Sequence, residues 1–272
     1  MELVANQFSG LPSDHALITF RHMSQIQTAA QQALDQLIEN EGGNQFLVVM
    51  GISEVARQQL DNDKECLGGI TFRFLWEGST GLLKVIPTLQ HDVTARSMTG
   101  EIGFQLRAQM GIPREDIMFG NTTTHKALAG KTGKQPDDCF WPSSRQGRSN
   151  RAQGWPTLVI ETGVSKSLSK LRADAQWWFH NSSGQTRFVL IVSISRRQRR
   201  VTVEKWQMQI PSPAFVLQPV ASAAQEIVIT PASVSGAPLT LDFEALFDRP
   251  PQGTEADIVL DANDLRHCAR VV

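Results

Sequence analysis

Little separates the two signs of charge in these 272 residues: 26 basic side chains face 27 acidic ones, a net charge of −1. That balance excludes a global basic field as the source of any attraction to nucleic acid, so phosphate contacts must come from local patches. Cysteine is scarce too. Cys66, Cys139 and Cys268 are widely spaced and form no CxxC, so they read as reduced thiols of an intracellular protein, cytoplasmic or nuclear. The opening MELVANQFSGLPSD has no basic start followed by an apolar stretch, and no run of 18 apolar residues occurs anywhere. A membrane partner is therefore not expected. HExxH, Cys/His zinc spacing, GxGxxG, GxxxxGKS/T and GxSxG are all missing, and the histidines are scattered.

What is present suffices for one good core, since 41% of the residues are hydrophobic. MSQIQTAAQQALDQLIEN repeats apolar residues at helical spacing until EGGN stops it. Residues 45–60 fit a buried strand or a helix equally. ITFRFLWEGSTGLLKVIPT alternates around a Gly-containing turn, the pattern of a β-hairpin. DVTARSMTGEIGFQLRAQMG predicts a helix ended by Gly111 and Pro113. Strand candidates follow in DIMFGNTTTH, PDDCFWP and WPTLVIET, then a helix in SLSKLRADAQWWF and a strand pair around the basic turn RRQRR. Helix, three strands, helix, strand is the grammar of a mixed α/β core. The expected division is an N-terminal helix-and-hairpin extension over 1–88, the core over 89–210 and a C-terminal extension over 211–272, all one compact unit.

The chemistry gathers on two acids. Asp137 begins one candidate strand and Glu161 ends the next, so pairing across the polar loop SSRQGRSNRAQG sets both carboxylates at one sheet end. Two carboxylates and a backbone carbonyl, here that of Thr162, suit Mg²⁺ or Mn²⁺, which keep several waters. A cation so held polarises a phosphodiester and lowers the pKa of its water. The plainer alternative is a Pro-Asp turn and a solvated strand-end glutamate. Arg145, Arg148 and Arg151 in the intervening loop, and Arg196, Arg197, Arg199 and Arg200 in the basic turn, are candidates for phosphate contacts or for solvated turns. Ser165 and Ser167 precede the second helix, where a hydroxyl caps free amides or faces an anion.

The strings GKTGKQPDDCFWP and WPTLVIETGVSKSLSKLRADAQWWFHNSSGQTRFVLIV resemble a fungal family with a restriction-endonuclease-like, PD-(D/E)XK core, over residues 131–194. They are more distantly similar to a large bacterial nuclease family with PD and EV..S.S patterns. The resemblance implies a mixed β-sheet flanked by helices, with Asp137 and Glu161 as its metal-binding acids and Glu101 of the first core helix as a third. It implies hydrolysis of nucleic-acid phosphodiesters. Two residues after the glutamate, where the motif carries a lysine to orient the attacking water, this sequence has Gly163. Lys134, Lys166 and Lys170 are the nearby replacements, Lys166 the preferred one.

Three functions compete at this point. A metal-dependent nuclease is the first, with nucleic acid as partner and a homodimer as its assembly. A catalytically inactive nuclease fold that binds nucleic acid or protein is the second. The third is a small-molecule enzyme reusing the acidic pocket beside Trp141 and Trp155.

Overall fold

Two mixed β-sheets share this chain, and one segment of it crosses between them. The computed structural model describes residues 7–40, 43–87, 89–120, 123–127, 130–147, 154–209, 219–270 and 272. The order is β1 (Ala16–Thr19), α1 (Met23–Asn40), β2 (Phe46–Met50), α2 (Glu54–Asn62), β3 (Phe72–Glu77), β4 (Thr80–Val85) and α3 (Leu89–Phe104), which runs into a π-helical turn at Gln105–Gln109. Then come β5 (Ile117–Gly120), β6 (His125–Lys126), β7 (Thr132–Lys134), β8 (Asp138–Pro142), β9 (Leu158–Val164), α4 (Leu168–Asn181), β10 (Phe188–Ser195) and β11 (Arg200–Gln209). The C-terminal part holds β12 (Val220–Ile229), β13 (Val234–Ser235), β14 (Leu239–Leu241), α5 (Phe243–Phe247), β15 (Ile258–Leu260) and α6 (Ala262–Cys268).

The first sheet is ordered β1-β2-β4-β3-β7-β6 and the second β13-β12-β11-β10-β9-β8-β5, with β14 and β15 forming a separate pair. In the second sheet β5, β8 and β9 are successively antiparallel, and β10 joins parallel to β9 after the α4 crossover. The chain is thus mixed α/β. Residues between β5 and β8 leave that sheet to supply β6 and β7 to the other, where β7 pairs with β3.

Period-two alternation decides what each sheet buries. One face of the second sheet carries Phe140, Leu158, Ile160, Leu190 and Val192 against Met98, Ile102 and Leu106 of α3 and its π-helical extension. The other face carries Cys139, Val159, Val189 and Ile191 against Leu171, Ala175 and Trp178 of α4. The first sheet lays Leu47, Val49, Phe74 and Leu83 on α1 and α2. Its opposite face holds Phe46, Val48, Leu75 and Leu82. Arg73 and Lys84 alternate onto that same face. No helix among the described residues is long and apolar enough to cross a membrane.

Residues 45–60 turn out to be a strand followed by a helix. Gly51, at φ +70°, makes the turn between them, and Ser53 caps α2 by accepting from the Ala56 amide at 3.2 Å.

Candidate functional site

The β8–β9 register, Asp138 opposite Ile160 and Cys139 opposite Val159, extends by one pair to set Asp137 opposite Glu161. Both acids are nearly inaccessible, at 4% and 2% exposure. Two buried carboxylates cannot both stay charged without cations close by, and three strands and a helix bring them. Lys84 of β4 puts Nζ 2.5 Å from Asp137 Oδ2 and 3.6 Å from Glu161 Oε2. Arg73 of β3 lies 3.4 Å from Asp137 Oδ1 and donates to the backbone carbonyls of Pro136, at 3.0 Å, and Asp137. Lys134 of β7 is 3.2 Å from Glu161 Oε1 and 2.5 Å from Asp174 of α4. Lys170 donates to Asp174 one helical turn along.

Two neutral donors complete the network. The Thr162 amide donates to Asp137 Oδ2 at 2.7 Å, and the Trp178 indole N–H to Glu161 Oε1 at 2.7 Å. Burial pushes the Glu161 carboxyl above its usual range, with Lys134 and Lys84 opposing that rise. Burial would also raise Asp174, yet Lys134 and Lys170 together hold it below. Burial lowers the Lys170 ammonium to about 8. Asp138, on the opposite side of β8, accepts from Thr99 of α3 at 3.0 Å, and burial raises its carboxyl to about 6.

The sequence-derived candidates divide sharply. Asp137, Glu161 and Lys134 meet in this cluster. Lys166 does not join it: half exposed, its ammonium pairs with Asp14 at the surface. Glu101 turns away toward His267, 3.8 Å off, and the residue of α3 that reaches the neighbourhood is Thr99. Arg145 is tied into the fold, paired with Asp248 and donating to the carbonyls of Trp155 at 3.0 Å and Gln185 at 2.6 Å. Arg148 and Arg151 lie outside the described residues. Ser165 is exposed, and α4 starts at Ser167 without a side-chain cap bond. Thr162 offers Asp137 its amide rather than its carbonyl.

Sequence reasoning missed Arg73, Lys84, Asp174 and Trp178. The overlooked signal for the first two is a basic residue inside each strand of an apolar hairpin, TFRFLW and GLLKVI. For the others it is spacing, since Lys170, Asp174 and Trp178 repeat every four residues and so share one face of α4.

A divalent cation does not fit this arrangement. Lys84 Nζ already stands between the two carboxylates, and four cationic side chains surround three acids. The described residues contain no group of three or more His, Cys, Asp or Glu placed to hold a metal ion. The adjoining cavity, lined by Phe46, Leu82, Lys84, Lys134, Glu161 and Lys170, measures about 20 Å³. A space of that size holds one water.

No protein-family model matches this chain, and no curated protein matches its sequence.

Proposed function

We propose that this chain is a restriction-endonuclease-like module that binds nucleic acid without cutting it, its acid pair neutralised by lysines in place of a metal. The observation that carries this reading is Lys84 Nζ at 2.5 Å from Asp137 and 3.6 Å from Glu161 in a buried centre. The order α3, β5, β8, β9, α4, β10, with the acids at one end of the β8–β9 pair, supports the fold that the fungal PD-(D/E)XK resemblance implies. Gly163 at the motif's lysine position agrees with lost turnover. Arg197 and Arg199, exposed in the turn from β10 to β11, and Arg200, exposed at the start of β11, are available to phosphates.

A second reading keeps the enzyme, a Mg²⁺- or Mn²⁺-dependent hydrolase of nucleic-acid phosphodiesters. It is favoured by the convergence of Asp137 and Glu161, with Lys134 in place to serve as the missing lysine. It requires Lys84 to leave the carboxylates. The small-molecule alternative has no support from a cavity of this size.

Manganese calorimetry on wild type and Glu161→Ala, with plasmid nicking and oligonucleotide binding on the same samples, separates the two. Oligonucleotide binding that weakens with salt, with no metal uptake and no nicking, is the expected result. Metal binding and nicking, both lost in Glu161→Ala, would overturn it in favour of the hydrolase. Absence of oligonucleotide binding would remove nucleic acid as the partner.

A further inference from the structure

Residues 7–14, ahead of β1, bridge the first sheet and α4 beside the ion-paired centre. Phe8 and Leu11 pack on Phe46, Val48, Leu75 and Leu82, the small apolar cluster on the sheet face that also carries Arg73 and Lys84. Three of those four, Phe46, Leu75 and Leu82, line the cavity next to Glu161, Lys134 and Lys170. Gly10 rests on the first turn of α4: its φ is +74°, and a Cβ there would stand 2.5 Å from the Ser169 carbonyl oxygen and 3.0 Å from the Lys170 amide nitrogen. Glycine is what lets the backbone lie this close to Lys170. Asp14 then fastens the segment by pairing with Lys166, two residues before α4.

The attachment is light. Of residues 7–14 only Gln7 and Pro12 are buried, while Phe8 and Leu11 are half-buried. Both partners of the Asp14–Lys166 pair are half exposed, and such pairs contribute little and are screened by salt. Gln7 is buried with an Oε1 that accepts no hydrogen bond. An unmet acceptor penalises the seated position, and water relieves that penalty once the segment lifts. β9 and β10, by contrast, are buried at every residue. Segments with few buried contacts open locally at low free energy, whereas strands buried end to end open last.

We infer that residues 7–14 form a strap that shuts the ion-paired centre and lifts while both sheets stay folded, with Asp14–Lys166 as its latch. Lifting bares Phe46, Leu75 and Leu82 together with the cavity that reaches Lys134 and Lys170. An anion from outside can then compete for those ammonium groups, and a cation for the acids they neutralise. The seated strap forbids both exchanges, so it sets when the centre is open to a ligand. The inference concerns access alone and stands apart from the nucleic-acid reading given above.

Lysine acylation by N-hydroxysuccinimide acetate, read by peptide mass spectrometry with exposed Lys131 as the internal standard, tests it on the intact chain as wild type, Gly10→Val and Asp14→Lys. Hydrogen exchange of the β9 and β10 amides in the same samples reports whether the sheets stay closed. Gly10→Val drives a side chain at positive φ into the Ser169 carbonyl and should speed acylation of Lys170 by about tenfold. Asp14→Lys exchanges attraction for repulsion and should speed it by up to about fivefold. Exchange in β9 and β10 should match wild type in both. Lys170 acylation that Gly10→Val leaves unchanged would overturn the strap, because the sheets and α4 alone would then close the centre. Faster acylation with equally faster exchange of β9 and β10 would overturn it as well, since the whole fold would be opening. A rise in Gly10→Val without one in Asp14→Lys would overturn the ion pair as the latch.

Discussion

Arg73 and Lys84 stand directly opposite each other across the β3–β4 hairpin, and both converge on the Asp137 carboxylate of the other sheet. Like charges paired across two strands destabilise a hairpin. Here Asp137 reverses the sign: it removes the repulsion between two bases, and they remove the cost of burying it. The hairpin and the strand end thus need each other.

Lys84→Met tests that dependence. The substitution keeps the buried stem and leaves Asp137 and Glu161 without their shared ammonium, so stability should fall by about 3–5 kcal/mol, the usual result of breaking a buried ion pair from one side. Adding Asp137→Asn should recover part of the loss, giving a coupling of about 0.5–3 kcal/mol in a double-mutant cycle of urea unfolding. Strictly additive losses would mean that the two side chains act independently.

Trp178→Phe keeps the ring packing and deletes the indole N–H that reaches Glu161. A buried carboxylate deprived of one donor should cost about 1–3 kcal/mol. In a Glu161→Gln background, where no carboxylate charge awaits the indole, the same Trp178→Phe change should cost less, even though Glu161→Gln by itself leaves Lys134 without that charge. Differential scanning calorimetry on the single and double variants measures both quantities.

Asp138 predicts a pH dependence of definite sign. Burial raises its carboxyl from an unfolded value near 3.8 to about 6, so between those values the folded chain holds more protons than the unfolded one. Stability from this group is then full below the unfolded value and lost as pH rises through about 6. Asp138→Asn should be more stable than wild type at pH 7.5 by up to about 3 kcal/mol, at 1.36 kcal/mol per pKa unit, and its advantage should vanish near pH 4. Denaturant midpoints at the two pH values decide it; an advantage that stays constant would assign the effect to packing.

Restoring the motif lysine should harm this protein. A Cβ on Gly163 would lie 3.2 Å from Leu171 Cδ1 and 3.4 Å from Ser167 Cβ. A fifth cation would also enter a centre that already holds four. Gly163→Lys should therefore lose about 1–3 kcal/mol by overpacking alone. It should gain no nicking activity in the plasmid assay, whereas a gain would show that the centre lacks only that one group.

Much of this fold is legible in the sequence wherever one period repeats for long enough. α1, α3 and α4 follow their apolar spacing, the β3–β4 pair follows alternation around a turn, and β10 and β11 are apolar runs on either side of the basic turn. β6 and β7 are two and three residues long and carry no period; β7 forms because β3 offers it an edge, and β6 pairs in turn with β7. The acids were legible because Asp137 and Glu161 flank adjacent strands. Their counter-ions were not, since Lys84 stands 53 residues before Asp137 and meets it only when one sheet covers the end of another. Lys166 is near Glu161 along the chain, yet α4 turns Lys170 inward and leaves Lys166 to Asp14.

The excursion of residues 125–134 from one sheet into the other makes the chain woven. Lys134 is registered on Leu75 by strand pairing, while its ammonium is committed to Glu161 and Asp174 across the boundary. Neither sheet can open without stripping buried charges in the other of their partners. Heat or denaturant should therefore dismantle both sheets in one cooperative step. A fragment beginning at residue 89 would inherit the acid pair stripped of Arg73 and Lys84, and would lack β3, the edge on which β7 is registered.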